Sequence, residues 1–345
     1  LGGAWTFLTP AYVFLLIPLV ERLAGVDPSN HDPETERRVK ASRLYSALLW
    51  SYVPIQIALT AFFLWRVWGA DPAGALAGWL GASGSGPAWE PLQGWALAGA
   101  ILSVGVSNGG TGITVAHELI HRAARFEQVL GRILLLTTFY MHFAIEHVYG
   151  HHKHVATEHD PATARRGESF YRFWLRTVPA QYASAWAIER RRLAKKKQGL
   201  LSWHNEMAWF HVWQAGLLAL IAFGLGWAAV AAFLGTCLVA FSLLEAVNYL
   251  EHYGLERHEA DNGRYEKVDH HHSWNSDHVV SRMFLFELSR HSDHHATASR
   301  KYQVLRSFEE SPQLPTGYPG MILLALVPPV WFRVMNPLVD RFQNR

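Results

Sequence analysis

Apolar positions in this chain gather in long unbroken runs, not in the one-sided stripe of a soluble amphipathic helix. Runs long enough to cross roughly 30 Å of hydrocarbon lie at about 4–23, 45–67, 93–117, 209–227 and 229–250. The last two abut and predict a tight helical hairpin. A further run, 129–146, is as apolar as these, yet histidines flank it at both ends. If His121 and His147 belong to one site, a spanning helix between them would hold the two about 27 Å apart. The segment is therefore expected to be interfacial, oblique or re-entrant. The fold class predicted is all-α, a polytopic membrane bundle carrying a polar, histidine-rich cap.

Charge sets the expected direction of the crossings. Arg37, Arg38, Lys40 and Arg43 precede the second run, whereas 69–92 has no Lys or Arg and is rich in Gly, Ala and Pro. Basic residues accumulate on the cytoplasmic side, so 24–44 is expected inside and 69–92 outside. The segment 150–208 carries Arg165, Arg166, Arg172, Arg176, Arg190, Arg191, Arg192, Lys195, Lys196 and Lys197 and is expected inside, as is 251–345. Counting crossings places Leu1 outside, with neither initiator Met nor signal peptide. That reading expects one more spanning helix upstream, six in all, with both termini cytoplasmic.

Composition agrees with a membrane protein that has a substantial polar part: of 345 residues half are apolar and 15 are Trp, and mean hydropathy is +0.02. The single cysteine, Cys237, lies in an apolar run and reads as a core residue, which excludes disulfides, haem-thiolate, zinc-ribbon and rubredoxin domains. Net charge is only +3, no nucleic-acid motif is present, and topology accounts for the basic runs.

Nine histidines fall into four short clusters: His117 and His121 in HELIH, His147, His151 and His152 in EHVYGHH, His252 in NYLEHYG, and His291, His294 and His295 in RHSDHH. Imidazole suits iron, zinc and copper, and nine such ligands are too many for one ion of four to six ligands but about right for two. Residues four apart share a helix face, so His117 with His121, and His147 with His151, are each expected to grip a metal together. Glu118, Glu146, Glu251 and Asp293 flank candidate ligands and are read as carboxylates that hold the far ring nitrogen of a ligand. His154, His159, His270, His271 and His272 read as solvated or hydrogen-bonding surface residues, His142 as packed or supporting a ligand, and His31, His204, His211, His258 and His278 as structural. All four clusters are expected at the cytoplasmic ends of spans, above a bundle able to hold an apolar slot.

HELIHR, EHVYGHHKHVATEHDPA, NYLEHYGL and LSRHSDHHA together resemble the AlkB-type membrane alkane monooxygenases. HHSWNS at 271–276 and LPTGYPGM at 314–321 extend the resemblance over roughly 93–335. The NYxEHYG element separates this pattern from the related desaturases. Ser289 departs from the Gln common at that position, and it is not itself a candidate ligand.

The resemblance implies two iron ions and O2 as co-substrate, with one oxygen atom inserted into the terminal methyl of an n-alkane. A primary C–H bond needs an oxidant that neither zinc nor an acid–base pair supplies. No flavin, haem or iron–sulfur motif is present, so electrons are expected from outside, from rubredoxin fed by rubredoxin reductase. Arg190, Arg191 and Arg192 are candidate docking residues for that acidic donor. The implied location is a bacterial inner membrane with the site facing the cytoplasm; chain-length preference and oligomeric state stay open.

The nearest rival is a membrane di-iron desaturase or hydroxylase acting on fatty acyl or alkyl-aromatic substrates. HELIH also matches the zinc-protease motif HExxH, in which Glu118 would be the general base. That reading uses three ligands and leaves the other clusters idle. A metal transporter would spread its histidines through both leaflets, whereas these collect at one face.

Overall fold

The computed structural model describes residues 2–69 and 91–343. Most of the proposed outer segment 69–92 therefore lies outside the described residues. Within them the regular structure is helical, and β-pairing is limited to isolated bridges such as Asn275 with Gln313.

Among the described residues five helices are long and apolar enough to cross a membrane: α1 (Gly3–Ala24), α3 (Leu44–Trp68), α4 (Gly94–Ile120), α8 (Glu206–Leu225) and α9 (Trp227–His252). A short α2 (Pro33–Ala41), capped by the Asp32 carboxylate, precedes α3. Gly226, at φ +87°, is the whole connection between α8 and α9, a backbone angle that only glycine adopts without strain. α9 is the central helix, burying Ala229, Phe233, Cys237, Ala240 and Leu244 at helical spacing. α1 and α8 instead leave apolar side chains uncovered: Leu23 is 89% exposed and Phe223 94%, surfaces that a hydrocarbon environment would cover.

The run 129–146 is not one helix. α5 (Arg125–Thr137) has 13 residues, about 20 Å of rise, short of the hydrocarbon thickness. It folds back along the end of α4, with Gly131 against Ile120 and the Ala116 carbonyl. A turn follows in which Phe139 takes φ +57°. Tyr140 anchors that turn, donating to Glu245 Oε1 on α9 at 2.9 Å. Gln181 on α7 (Phe170–Lys195) donates to the other Glu245 oxygen at 2.8 Å, so one buried carboxylate ties three elements together. The chain then enters α6, made of the contiguous segments Phe143–Glu146, His147–His151 and His152–His154.

The C-terminal third wraps the ends of α4 and α9. Its short helices are α10 (Val279–Phe284), α11 (His291–Ala296) and α12 (Tyr318–Ala325), the last bent by 120° into α13 (Pro328–Gln343). Arg290 is buried and pins this wrap, meeting Asp277 at 3.1 Å, the Leu305 carbonyl at 2.9 Å and the Ser29 carbonyl at 2.9 Å.

Candidate metal centre

α4 and α9 both point their C-terminal ends at one region, and α6 and α11 close over it. The nine histidines meet there in two groups. His117, His121, His147, His152 and His294 form the first, and His151, His252, His291 and His295 the second; within each group the ligand nitrogens lie within 4.8 Å of one another. The groups adjoin, with the His152 and His295 rings 4.5 Å apart.

One expected pairing is corrected. His147 and His151 do not share a group: His147 Nε2 lies 3.1 Å from His152 Nε2, while His151 Nε2 lies 3.2 Å from His295 Nε2. The reason is local. Residues 147–151 form a π-turn, whose i→i+5 bonding stacks residues five apart and rotates the fourth away. Gly150 makes the turn feasible, since a Cβ there would sit 2.6 Å from Glu146 Oε1.

The donor set fits metal ions. Nε2 of His117, His121 and His252 is buried with no hydrogen-bond partner among the described residues. In the second group the Nε2 atoms of His291 and His295 face each other at 2.9 Å, and in the first those of His152 and His294 at 3.1 Å. Converging lone pairs repel unless a cation or a shared proton lies between them. Protons are scarce here. Burial, reinforced by neighbouring imidazoles, holds His147, His152, His291, His294 and His295 well below the usual histidine range and His121 down to about 3. Neutral imidazoles in this arrangement are ready metal ligands.

The carboxylates behave differently from the sequence reading. Glu118 pairs with Arg122 at 2.6 Å and accepts from the Tyr302 amide, and Asp293 meets Arg300 at 3.1 Å and the Arg306 amide at 2.9 Å. Neither carboxylate hydrogen-bonds to a candidate ligand. Glu146 is fully buried with one oxygen near Ser184; burial, with Asp160 and Glu245 nearby, raises its carboxyl well above the usual range. Glu251 reaches a candidate ligand, His291, at 3.2 Å, but through Nε2, the nitrogen that also faces His295. It sits beside the metal space, held by the Tyr318 hydroxyl at 2.7 Å.

The carboxylate that does hold a far nitrogen is Asp160, whose Oδ2 lies 2.9 Å from His151 Nδ1 with both groups buried. Burial alone would raise its carboxyl, but His151 and Thr163 outweigh that and hold it below the usual value. The signal in the sequence is Asp160-Pro161, a turn-forming pair eight residues past His152, whose side chain accepts from the Ala162 amide at 3.0 Å.

His142, His154, His159, His270, His271 and His272 stay outside both groups. His142 packs on Tyr140 at 4.2 Å, and His270 on Phe308 at 3.8 Å. His272 is not solvated: it is 4% exposed, bonded to Asp269 and Glu266, and its carbonyl faces His252 Nδ1 at 3.3 Å. Arg190 and Arg191 are exposed on α7, whereas Arg192 is committed to Glu189 at 2.7 Å and to the His204 carbonyl.

Residues 93–325 match the fatty acid desaturase family. The chain is 43% identical over 341 residues to alkane 1-monooxygenase 2 of Pseudomonas aeruginosa, covering 99% of this chain and 85% of that one. The chain belongs to the membrane alkane monooxygenases. Alkane 1-monooxygenase 2 of Alcanivorax borkumensis is 37% identical, with 98% of this chain and 84% of that one covered. A more distant similarity, 29% over 246 residues, covers 71% of this chain and 64% of the xylene/toluene monooxygenase hydroxylase component of Pseudomonas putida. As in the sequence reading, this membrane monooxygenase is all-helical with five candidate spans and a histidine-rich site able to bind metal.

Two apolar spaces lie near that site, with Gly110, Val247, Leu285 and Tyr318 in both linings. A cavity of about 220 Å³ opens among Val13, Phe14 and Ile17 of α1, Val106 of α4 and Ile322 of α12. A smaller space of about 30 Å³ lies against His117, His147 and His291, walled by Ile113, Phe143 and Leu244.

Proposed function

We propose that this enzyme hydroxylates the terminal carbon of an n-alkane to a primary alcohol, with O2 and electrons from rubredoxin, at a centre of two iron ions held by the nine histidines. The observation that carries the reading is the meeting of two converging imidazole groups with a small, mostly apolar space that His117, His147 and His291 line. His117, His121, His147, His152 and His294 would hold one ion, and His151, His252, His291 and His295 the other. A metal pair held there would supply O2 activation and an oxidant strong enough for an unactivated C–H bond. The chain's own part is to bind, orient and exclude. Asp160 fixes the His151 tautomer so that Nε2 faces inward. Glu251, which accepts from the Tyr318 hydroxyl, would set its second carboxyl oxygen beside His291 Nε2. Ile113, Phe143 and Leu244 keep water from the reacting carbon and admit a chain end-first, since an alkane offers no polar handle.

The site faces the cytoplasm of a bacterial inner membrane in this reading, where Arg190 and Arg191 steer the acidic donor. The segment 129–146 is then a re-entrant element. A second reading, hydroxylation of an alkyl aromatic, is favoured by the similarity to the xylene/toluene component. The test is product analysis: n-octane, O2 and reduced rubredoxin with the purified protein in nanodiscs. 1-Octanol supports the proposal; an alkene moves the reaction to the desaturases, and turnover of p-xylene with none of n-octane supports the second reading.

A further inference from the structure

The segment Asn108-Gly109-Gly110-Thr111-Gly112 forms a π-turn inside α4, and its three glycines are not there for the same reason. A Cβ on Gly109 would meet the Ala240 carbonyl of α9 at 2.5 Å, and one on Gly112 would collide with the Gln56 side chain. Both are demanded by close helix packing. Gly110 is not: the nearest atom to a Cβ there is Leu243 Cδ2 at 3.7 Å, an ordinary contact, and its backbone is helical with no positive φ. Glycine inside a helix costs about 1 kcal/mol relative to alanine, so packing and backbone geometry leave this glycine unexplained.

Its position supplies the reason. Gly110, Val247, Leu285 and Tyr318 line both the outer cavity and the space against the histidines. One layer of residues separates the two, and at Gly110 that layer has no side chain. We infer that Gly110 is the neck of the substrate channel and the residue that sets the cross-section of chain able to reach the metal centre. A linear alkyl chain passes, and one with a methyl branch at neck depth is excluded when Gly110 gains even one carbon. The inference rests on the proposed alkane reading for its ligand and on the glycine's surroundings for its place.

The test uses photolabelling, independent of turnover. n-Dodecane carrying a terminal diazirine is incubated with wild type, Gly110→Ala and Gly110→Leu in nanodiscs, irradiated, and the adducts are mapped by mass spectrometry. In wild type, adducts are expected at inner residues such as Leu288 and Phe143 and at outer ones such as Ile17 and Val106. Gly110→Leu should lose inner adducts at least tenfold and keep outer ones. Gly110→Ala, which fits without a clash, should keep inner labelling by the linear probe and lose it with a methyl-branched probe. Inner labelling of Gly110→Leu at the wild-type level, or equal labelling of Gly110→Ala by both probes, overturns the inference. Alcohol formation is assayed in parallel. Wild-type alcohol without the labelling pattern sinks the neck alone; the pattern without alcohol keeps the neck and sinks the hydroxylase reading.

Discussion

Replacing Asp160 should weaken one metal site and spare the other. Among the described residues its carboxylate is the sole side-chain partner of His151 Nδ1, at 2.9 Å in a fully buried setting, and His151 belongs to the four-histidine group. In Asp160→Ala the ring loses the acceptor that selects its tautomer, and Nδ1–H is left buried and unpaired, a loss of about 1–3 kcal/mol. Partners of this kind are worth roughly 10–100-fold in metal affinity, which is about 1.4–2.7 kcal/mol. Asp160→Asn keeps a neutral acceptor in place of a charged one, so its loss should be about half as large in free energy. The five-histidine group has no member bonded to Asp160 and should keep its affinity. The assay is anaerobic titration of the metal-free protein with Fe2+ against a calibrated chelator, scoring two binding steps. The expected result is one weakened step, more in Asp160→Ala than in Asp160→Asn. Equal weakening of both steps, or no change in either, would refute the assignment of Asp160 and the division into two groups.

The division predicts a further contrast, since His147→Ala should weaken the five-ligand site and His151→Ala the four-ligand site, though they lie one turn apart; metal counting of each variant checks this. The metal-free protein should lose thermal stability as pH falls below about 6.5. Burial holds His121 and His142 down to about 3 in the folded state, and His147, His152, His291, His294 and His295 are also depressed, so the unfolded chain takes up protons that the folded one refuses. Differential scanning fluorimetry in detergent from pH 7.5 to 5 should show a falling Tm, and a flat or rising Tm contradicts the sign. Gly109→Ala should destabilise by about 1–3 kcal/mol because its Cβ meets the α9 backbone, while Gly110→Ala should not; thermal unfolding compares them. Charge reversal at Arg190 and Arg191 should slow rubredoxin-dependent turnover at low salt with metal content unchanged, whereas Arg192→Glu should also lower Tm by breaking its pair with Glu189.

Much of the bundle is legible in the sequence because a membrane span needs only a long apolar run: 93–117 and 229–250 differ from α4 and α9 by three residues or fewer at any end. The histidine clusters are legible for a similar reason, as helical spacing puts ligands on one face. Their partition is not. A π-turn leaves no mark in a spacing rule built on α-helical geometry, so His147 and His151 look like partners when they are not. The ends of 129–146 could be argued from the need to bring His121 near His147, but the bend itself depends on Tyr140 reaching Glu245, a pairing more than a hundred positions apart in sequence. The 26-residue α7 is hidden too, because basic charge dominates the composition of 150–208. Carboxylates adjacent in sequence to a histidine mislead for a geometric reason: successive helical residues point in different directions, so Glu118 and Asp293 face arginines while the distant Asp160 reaches His151.

Metal stoichiometry, read together with the ligand environment, tests most directly whether the two histidine groups form a dinuclear, all-imidazole centre. Purified protein reconstituted anaerobically with Fe2+ should bind two ions per chain, with X-ray absorption showing nitrogen-dominated ligation and no sulfur. Saturation at a single ion, with the second histidine group still open to chemical modification, would contradict it.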